Sequence, residues 1–271
     1  MNLFFADEEY IRSLIKPRKR DSNKGDFGTL AMLCGSRYMT GAAKLAALGA
    51  LRSGVGLVKF FGSDGMIDRM QSMLAEPVFA DISTFSEAKY GAFLCGCGIG
   101  REYDSVLPEV LRSCRTHAVL DADCINFLAA HKDLLKEISG GATLTPHPGE
   151  MSRLCGKSIE EIQSDRVRTA LGFAEEYGCI TVLKGYKTVI ASPDGRVCVN
   201  GTGNSGLAKG GSGDVLAGVT ASLNAQGYSP FEAACIAVYL HGLAGDRLSA
   251  RMGESGVIPS DLPGEIGLLL G

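Results

Sequence analysis

The sequence predicts an α/β fold: a mostly parallel sheet covered by helices on both faces. Three observations carry that reading. Short apolar and β-branched runs recur along the chain, each followed by a turn and a helical stretch, the alternation that joins parallel strands through crossover helices. Glycines gather where those runs end, at Gly35, Gly96, Gly98, Gly100, Gly149, Gly185 and from Gly201 to Gly213. That is the rim at which open α/β sheets bind ligands. No repeat, low-complexity segment or Pro/Ser-rich linker divides the 271 residues, so residues 1–271 read as a single domain.

The strand-like runs, in chain order, are Thr29–Cys34, Gly56–Phe61, Ala92–Cys95, Ala118–Asp121, Ala142–Thr145 and Ile180–Leu183. Their near-continuous apolar character suits strands buried on both faces. Thr40–Ser53 is rich in alanine, leucine and small residues, which suits a helix packed closely on the sheet. Thr188–Val199 holds two β runs around Pro193-Asp194-Gly195, a turn sequence, and reads as an antiparallel hairpin at one edge of the sheet. Asp214–Ala225 reads as a helix entered directly from glycines. Pro230–Ala250 is a longer helix, with Ser229 as N-cap, Pro230 at its first position and Glu232 two residues on.

Composition excludes several function classes. Hydrophobic residues make up 45% of the chain and charged residues 21%, enough to bury a core. A net charge of -3 without a basic stripe argues against nucleic acid as a partner. Met1–Arg12 starts apolar but turns acidic at Asp7, Glu8 and Glu9, unlike a secretory signal. The best apolar run, Ala233–Gly245, is too short to span a bilayer, so no membrane partner is expected. The cysteines number nine, an odd count without paired spacings, and most sit in apolar strings; a reducing, cytoplasmic location follows. Cys95-x-Cys97 has no second Cys or His pair to complete a zinc site. Glycine is the outlier: 36 residues, about 13% against an average of about 7%. Something must approach the backbone closely.

Two generic nucleotide motifs fail. Gly156-Lys157-Ser158 ends like a Walker A loop, but Met151 stands where its first glycine belongs. Gly201-x-Gly203-x-x-Gly206 has dinucleotide-fingerprint spacing, yet no helix opens at once and no acidic residue follows in a second strand. Gly210-Gly211-Ser212-Gly213-Asp214 is stronger, because it runs straight into a helix. Amides there converge on one spot and the helix dipole adds positive potential. Asp214 at the rim can take a proton from a hydroxyl while the amides hold a phosphoryl group. An N-cap aspartate beside a glycine turn is the plainer reading of the same residues.

Other candidates also carry two readings. His147 stands between Pro146 and Pro148 on a stiff loop, as a substrate contact or as a surface histidine without a role. Glu150 is either a site carboxylate or a first-turn acid favoured by the helix dipole. Lys184-Gly185-Tyr186-Lys187-Thr188 follows a strand; its lysine can meet phosphates and its glycine admits close approach, and a solvated turn explains it as well. Ala42 is explained equally by helix packing and by ligand approach. Asp121 and Asp123 read as structural or metal-linked, and His241 and Asp246 as packing groups inside a long helix.

Lys24–Gly28, Gly35–Ala43, Ala50–Val58, Asp121–Asn126, Thr145–Glu150, Gly203–Leu216 and Tyr239–Asp246, taken together and in order, resemble the NAD(P)H-hydrate dehydratase family over about residues 20–262. The resemblance implies a ribokinase-like three-layer fold. It implies an enzyme that uses ADP or ATP to dehydrate the S epimer of hydrated NADH or NADPH, giving AMP and phosphate from ADP. The size of the chain favours the ADP-using members. By resemblance Asp214 is the base toward the substrate hydroxyl. Gly211, Ser212 and Gly213 hold the phosphoryl group, while Lys184, Gly185, Tyr186, Lys187, Thr188, Asn204 and Gly206 border the adenine nucleotide. Ala42, Gly100 and His147, with Asp214, contact the hydrated dinucleotide, and Asn126 is a weaker substrate candidate. Glu150 organises Mg²⁺ through water.

The resemblance also implies a homotetramer and, because 271 residues leave no room for a fused epimerase, a separate NAD(P)H-hydrate epimerase as functional partner. Two departures stand out: Asn23 replaces a frequent histidine, and Lys209 replaces a frequent threonine and adds positive charge beside the phosphates. The competing readings are a ribokinase-like kinase of a vitamin-precursor alcohol and a nucleotide-binding module without turnover. Thr145–Glu150 and Lys24–Gly28 favour the dehydratase over the first, and Asp214 argues against the second.

Overall fold

Ten strands form one sheet in a computed structural model that describes residues Met1–Gly271. They are β1 (Asn2–Ala6), β2 (Thr29–Leu33), β3 (Leu57–Gly62), β4 (Val78–Asp81), β5 (Ala92–Cys95), β6 (His117–Leu120), β7 (Ala142–Leu144), β8 (Ile180–Leu183), β9 (Val189–Ala191) and β10 (Arg196–Asn200). The helices are α1 (Glu8–Leu14), α2 (Thr40–Arg52), α3 (Asp64–Met73), α4 (Leu107–Ser113), α5 (Ala122–Ala130) and α6 (Leu134–Glu137), then α7 (Pro148–Cys155), α8 (Ile159–Ser164), α9 (Arg166–Tyr177), α10 (Ser212–Ala225), α11 (Pro230–Met252) and α12 (Leu262–Leu270).

The strand order is β1-β10-β9-β8-β7-β6-β5-β2-β3-β4. Every pairing is parallel except those of β9, which runs against both β8 and β10. All other strands therefore end on the same rim. The six internal runs read from the sequence appear as strands, with ends shifted by a residue. The two strands absent from that reading, β1 and β4, are the edges. Both are short and half exposed, so neither carries the apolar signature of a central strand. The hairpin β9–β10 is not at an edge: β1 lies outside it, pairing Asn2 with Arg196 through Ala6 with Asn200. That parallel addition satisfies the outer hydrogen-bonding row of β10.

Side chains alternate between the two layers as the period of a strand requires. Ala31, Leu33, Phe93, Cys95 and Leu120 face the core under α4, α5, α7 and α9. Leu30, Met32, Leu94 and Val119 face α2, α3 and α10, and α11 and α12 extend that layer over β8 and β10. The small residues of α2 serve contact with α10 as well as with the sheet. A Cβ on Gly218 would lie 2.0 Å from Ala46 O, and one on Gly49 would lie 2.6 Å from Val215 O. Glycine lets the two backbones touch, and this fixes where α10 begins. All nine cysteines are unpaired thiols, and only Cys155 is not fully buried. No helix is long and apolar enough to cross a membrane.

Candidate active site

A cavity of about 960 Å³ opens at the common rim of β6, β8 and β10. Its base is the N-terminus of α10. The N-cap is Gly211, at φ +106°, with no side-chain cap. Within the turn before it, Lys209 N donates to Leu207 O at 2.8 Å and Ser212 N to Lys209 O at 3.2 Å. The amides of Gly210, Gly211, Gly213 and Asp214 donate to no protein group. An uncapped helix terminus with free amides in a cavity has the donors that an anion needs. The sequence expectation of Gly211, Ser212 and Gly213 is thus refined: the Ser212 amide closes the turn, and Gly210 and Asp214 contribute amides instead. The Ser212 side chain still lines the cavity.

Beside the amides stand two buried carboxylates, Asp121 and Glu150, and two half-buried groups, Lys184 and Asp214. Asp121 follows β6 and is 2% exposed. Its Oδ1 accepts from Lys184 Nζ at 2.7 Å and from Thr145 Oγ1 at 2.6 Å. Its Oδ2 is 3.8 Å from Cys97 Sγ. Lys184 Nζ is 3.9 Å from Glu150 Oε2. Burial opposes the charge on Lys184, but Asp121 and Glu150 outweigh it and hold the ammonium above its usual range. The Cys34 thiol and burial push Cys97 far up, so it stays protonated. Asp214 lies within 4.8 Å of the Cys97 and Asp121 donor atoms. Burial, then the Asp121 charge, push its carboxyl up to about 6. That value suits a base at neutral pH.

His147 is the N-cap of α7: its Nδ1 accepts from Gly149 N at 3.0 Å and Glu150 N at 3.2 Å. The neutral ring therefore carries its proton on Nε2, 3.4 Å from Glu150 Oε1, at the cavity wall. The flanking prolines are only part of what fixes this ring; capping does the rest. Glu150 closes the box by accepting from His147 N at 2.8 Å. Burial pushes its pKa above the usual carboxylate range, and it does not line the cavity.

Lys184, Gly185, Tyr186, Lys187 and Thr188 all line the cavity as a turn closed by Thr188 Oγ1 donating to Gly185 O at 2.9 Å. Lys184, however, is ion-paired within the protein. Tyr186 is 86% exposed at the lip. Asn204 lines the cavity while its side chain is engaged inside the protein, donating to Asp246 Oδ1 at 2.7 Å and accepting from Gly206 N at 2.9 Å. Gly206 does not line the cavity: it is buried, with Asn204 Oδ1 and Glu254 O each 2.9 Å from where its Cβ would be.

Ala42 and Gly100 lie at a separate part of the rim, after β2 and β5. A Cβ on Gly98 would lie 2.7 Å from Ala42 Cβ, and Gly100 N donates to Asp123 Oδ2 at 2.8 Å. Asn126 accepts from Arg153 Nε at 2.9 Å, on the surface. Asp246 accepts from Gly203 N at 2.8 Å and His241 Nε2 meets Ser212 O at 3.0 Å, as packing groups should. His241 also ties α11 to the first turn of α10. Asn23 caps its own short helix through Gly25 N at 2.9 Å. Sequence reasoning undervalued Asp121, whose partners lie far along the chain, and Cys97, which it weighed only as half of an incomplete zinc motif.

The sequence profile of the NAD(P)H-hydrate dehydratases matches residues 30–267. The chain belongs to this family. The ADP-dependent (S)-NAD(P)H-hydrate dehydratase of Neisseria meningitidis is 38% identical over 93% of this chain and 87% of its own length. The crystal structure of the ADP/ATP-dependent NAD(P)H-hydrate dehydratase from Bacillus subtilis, co-crystallized with ATP/Mg²⁺, superposes with a TM-score of 0.89 at 32% identity, covering 100% of this chain and 98% of that one. A ribokinase-like superfamily protein from Enterococcus faecalis gives 0.85 at 25% identity, over 99% of this chain and 95% of that one. The fold of this family member is ribokinase-like. The chain spans about half the length of the bifunctional NAD(P)H-hydrate repair enzymes it matches, 51% for that of Moorella thermoacetica at 38% identity.

The donors suit Mg²⁺ rather than a thiophilic metal. Mg²⁺ takes one or two carboxylates and completes its shell with phosphate and water. Asp121 Oδ2 offers such an oxygen facing Asp214, whereas Cys97 is a protonated thiol. Glu150, engaged with His147, does not line the cavity directly.

Proposed function

We propose that this protein dehydrates the S epimer of hydrated NADH and NADPH, with ADP as phosphoryl donor, returning the reduced cofactor with AMP and phosphate. The observation that carries this reading is the set of unpartnered amides at Gly210, Gly211, Gly213 and Asp214, next to an aspartate held near neutral pH.

Hydroxide is a poor leaving group, so the hydroxyl of the hydrated ring is first phosphorylated. Asp214 accepts the hydroxyl proton as that oxygen attacks the terminal phosphorus of ADP. The P–O bond to AMP breaks while the free amides bind the transferring oxygens. The ring nitrogen lone pair then expels phosphate, and loss of a proton from the neighbouring carbon restores the double bond. Lys184 and Asp121 keep the cradle electrostatically balanced when the anions enter. Mg²⁺ held by Asp121 and phosphate oxygens would neutralise charge on the nucleotide. His147 Nε2–H is available to the hydrated nicotinamide, and Ala42 and Gly100 border the remainder of the dinucleotide. Tyr186 and the turn around it border the adenine.

Hydration of the ring creates both epimers, so an epimerase activity would feed this site. A cytoplasmic homotetramer is the assembly we favour, and sedimentation measures it. The deciding experiment incubates hydrated NADH, Mg²⁺ and ADP or ATP with the protein and follows the near-ultraviolet absorbance of the reduced ring. Recovery with release of AMP and phosphate is expected. A phosphorylated product that persists would instead mark a kinase of an alcohol, and no recovery with either nucleotide would remove the reading.

A further inference from the structure

Lys209 stands one residue before the cradle, where positive charge would be expected to face phosphate. The structure gives its ammonium other partners. Nζ donates to Ser255 O at 2.7 Å and also to Val257 O. Both carbonyls belong to residues 253–258, the strap that leads from α11 to the short helix Pro259–Asp261 before α12. The main chain of the same lysine holds the cradle: Lys209 O accepts from Ser212 N and so closes the turn that leaves the amides of Gly210 and Gly211 free.

The strap touches the cradle side at one further place, and the short helix that follows it at another. Ser205 Oγ hydrogen-bonds Glu254 Oε2. Pro259 packs where a Cβ on Gly211 would come within 3.3 Å of it. The cradle glycines have no side chains with which to hold their own conformation, and Gly211 sits at φ +106°. Their aim must therefore be imposed from outside. Two of the three N–H groups of Lys209 face main-chain carbonyls, the partners an ammonium takes when it organises backbone.

We propose that Lys209 is a positioning residue: its side chain clamps the strap 253–258 to the turn 209–212 and so pre-aims the phosphate-binding amides before nucleotide arrives. This rests on the reading of Gly210–Asp214 as a phosphate cradle, but the clamp itself exists without ligand. The alternative, an ammonium that only ligates phosphate, leaves the nucleotide-free protein unchanged when it is removed.

The test compares wild type, Lys209→Met and Lys209→Arg by hydrogen exchange without nucleotide, by calorimetric ADP binding, and by steady-state kinetics. In Lys209→Met, the hydrogen-bonded amides of the two segments, Gly253, Gly256 and Ile258 in the strap and Lys209 and Ser212 in the turn, exchange about tenfold faster or more in the nucleotide-free protein. ADP affinity falls about tenfold while kcat at saturating ADP falls less than about threefold, since a disordered cradle is re-formed once nucleotide is bound. Lys209→Arg keeps donors in reach of the same carbonyls and recovers most of the protection. Unchanged exchange in Lys209→Met overturns the clamp whatever happens to activity. Faster exchange with weaker ADP binding supports it even if hydrated NADH proves not to be a substrate. Should Lys209→Met not fold, Lys209→Gln, which is too short to reach both carbonyls, takes its place and its exchange is read in the same way.

Discussion

The N-termini of α7 and α10 lie on the same rim of the sheet and are finished in opposite ways. At α7 the donors are engaged within the protein. His147 Nδ1 takes the Gly149 and Glu150 amides, Glu150 Oε2 takes the His147 amide at 2.8 Å, and Pro148 has none to offer. At α10 glycine provides the N-cap and no side chain bonds the first turn. A missing cap costs about 1 kcal/mol. α2, α3, α4, α5, α6 and α12 also start without a side-chain cap, so the open end alone names no ligand; the proposed function gives the amides of α10 a phosphate. The closed end positions a histidine; in the proposed function the open end takes the anion.

The strongest way to test the open end is to remove its acid. Asp214→Asn should lower kcat by about 10²–10⁴ with ADP binding still measurable by calorimetry, because the amides remain. Activity near wild type would take the base role away from Asp214. Next, the open end can be filled. A Cβ on Gly213 would lie 3.3 Å from Lys184 Nζ, so Gly213→Ala should weaken ADP binding about tenfold with little change in thermal midpoint, alanine being the better helix former. Undiminished affinity would mean the cradle is not where phosphate sits.

The pH dependence sharpens the same contrast. Asp214 titrates at about 6, so kcat/KM should fall about tenfold per pH unit below that value. In the unfolded chain an aspartate loses its proton near about 4, so between about 4 and 6 the folded protein binds more protons and stability falls as pH rises. Asp214→Asn should therefore be more stable than wild type by about 1–2 kcal/mol at neutral pH and no more stable below about pH 4. Denaturant melts at the two values measure this. The smallest effect belongs to the closed end. Asparagine also caps helices, so His147→Asn should change stability by less than about 1 kcal/mol. It should raise the KM for the hydrated dinucleotide several-fold and leave that for ADP unchanged. Equal rises in both would place His147 at the nucleotide instead.

Much of the architecture was legible because central strands carry an unbroken apolar run and helices announce their caps; Ser229 and Glu232 did so for α11. The edge strands β1 and β4 lack that signal, and β1 pairs with a strand far along the chain. The cradle was legible for a different reason: its chemistry is main-chain, and glycine before a helix is visible as a letter. What escaped were roles set by a distant partner. Nothing near Lys184 says that its ammonium meets Asp121, nothing near Gly206 says that it is covered by Glu254, and the positive φ of Ala122, immediately after Asp121, has no sequence mark at all. Lys209 shows the same limit, since the carbonyls that take its charge lie beyond α11.

The pairing of β1 with β10 bears on how the chain is made. The ribosome releases Asn2–Ala6 long before Arg196–Asn200, which is the sole sheet neighbour of that strand. Until then Leu3 and Phe5, still 42% and 62% exposed in the finished protein, lie on a strand with nothing to pair with. The nascent chain thus carries a sticky, unpaired segment through most of its synthesis, and the sheet is completed last from its own N-terminal side.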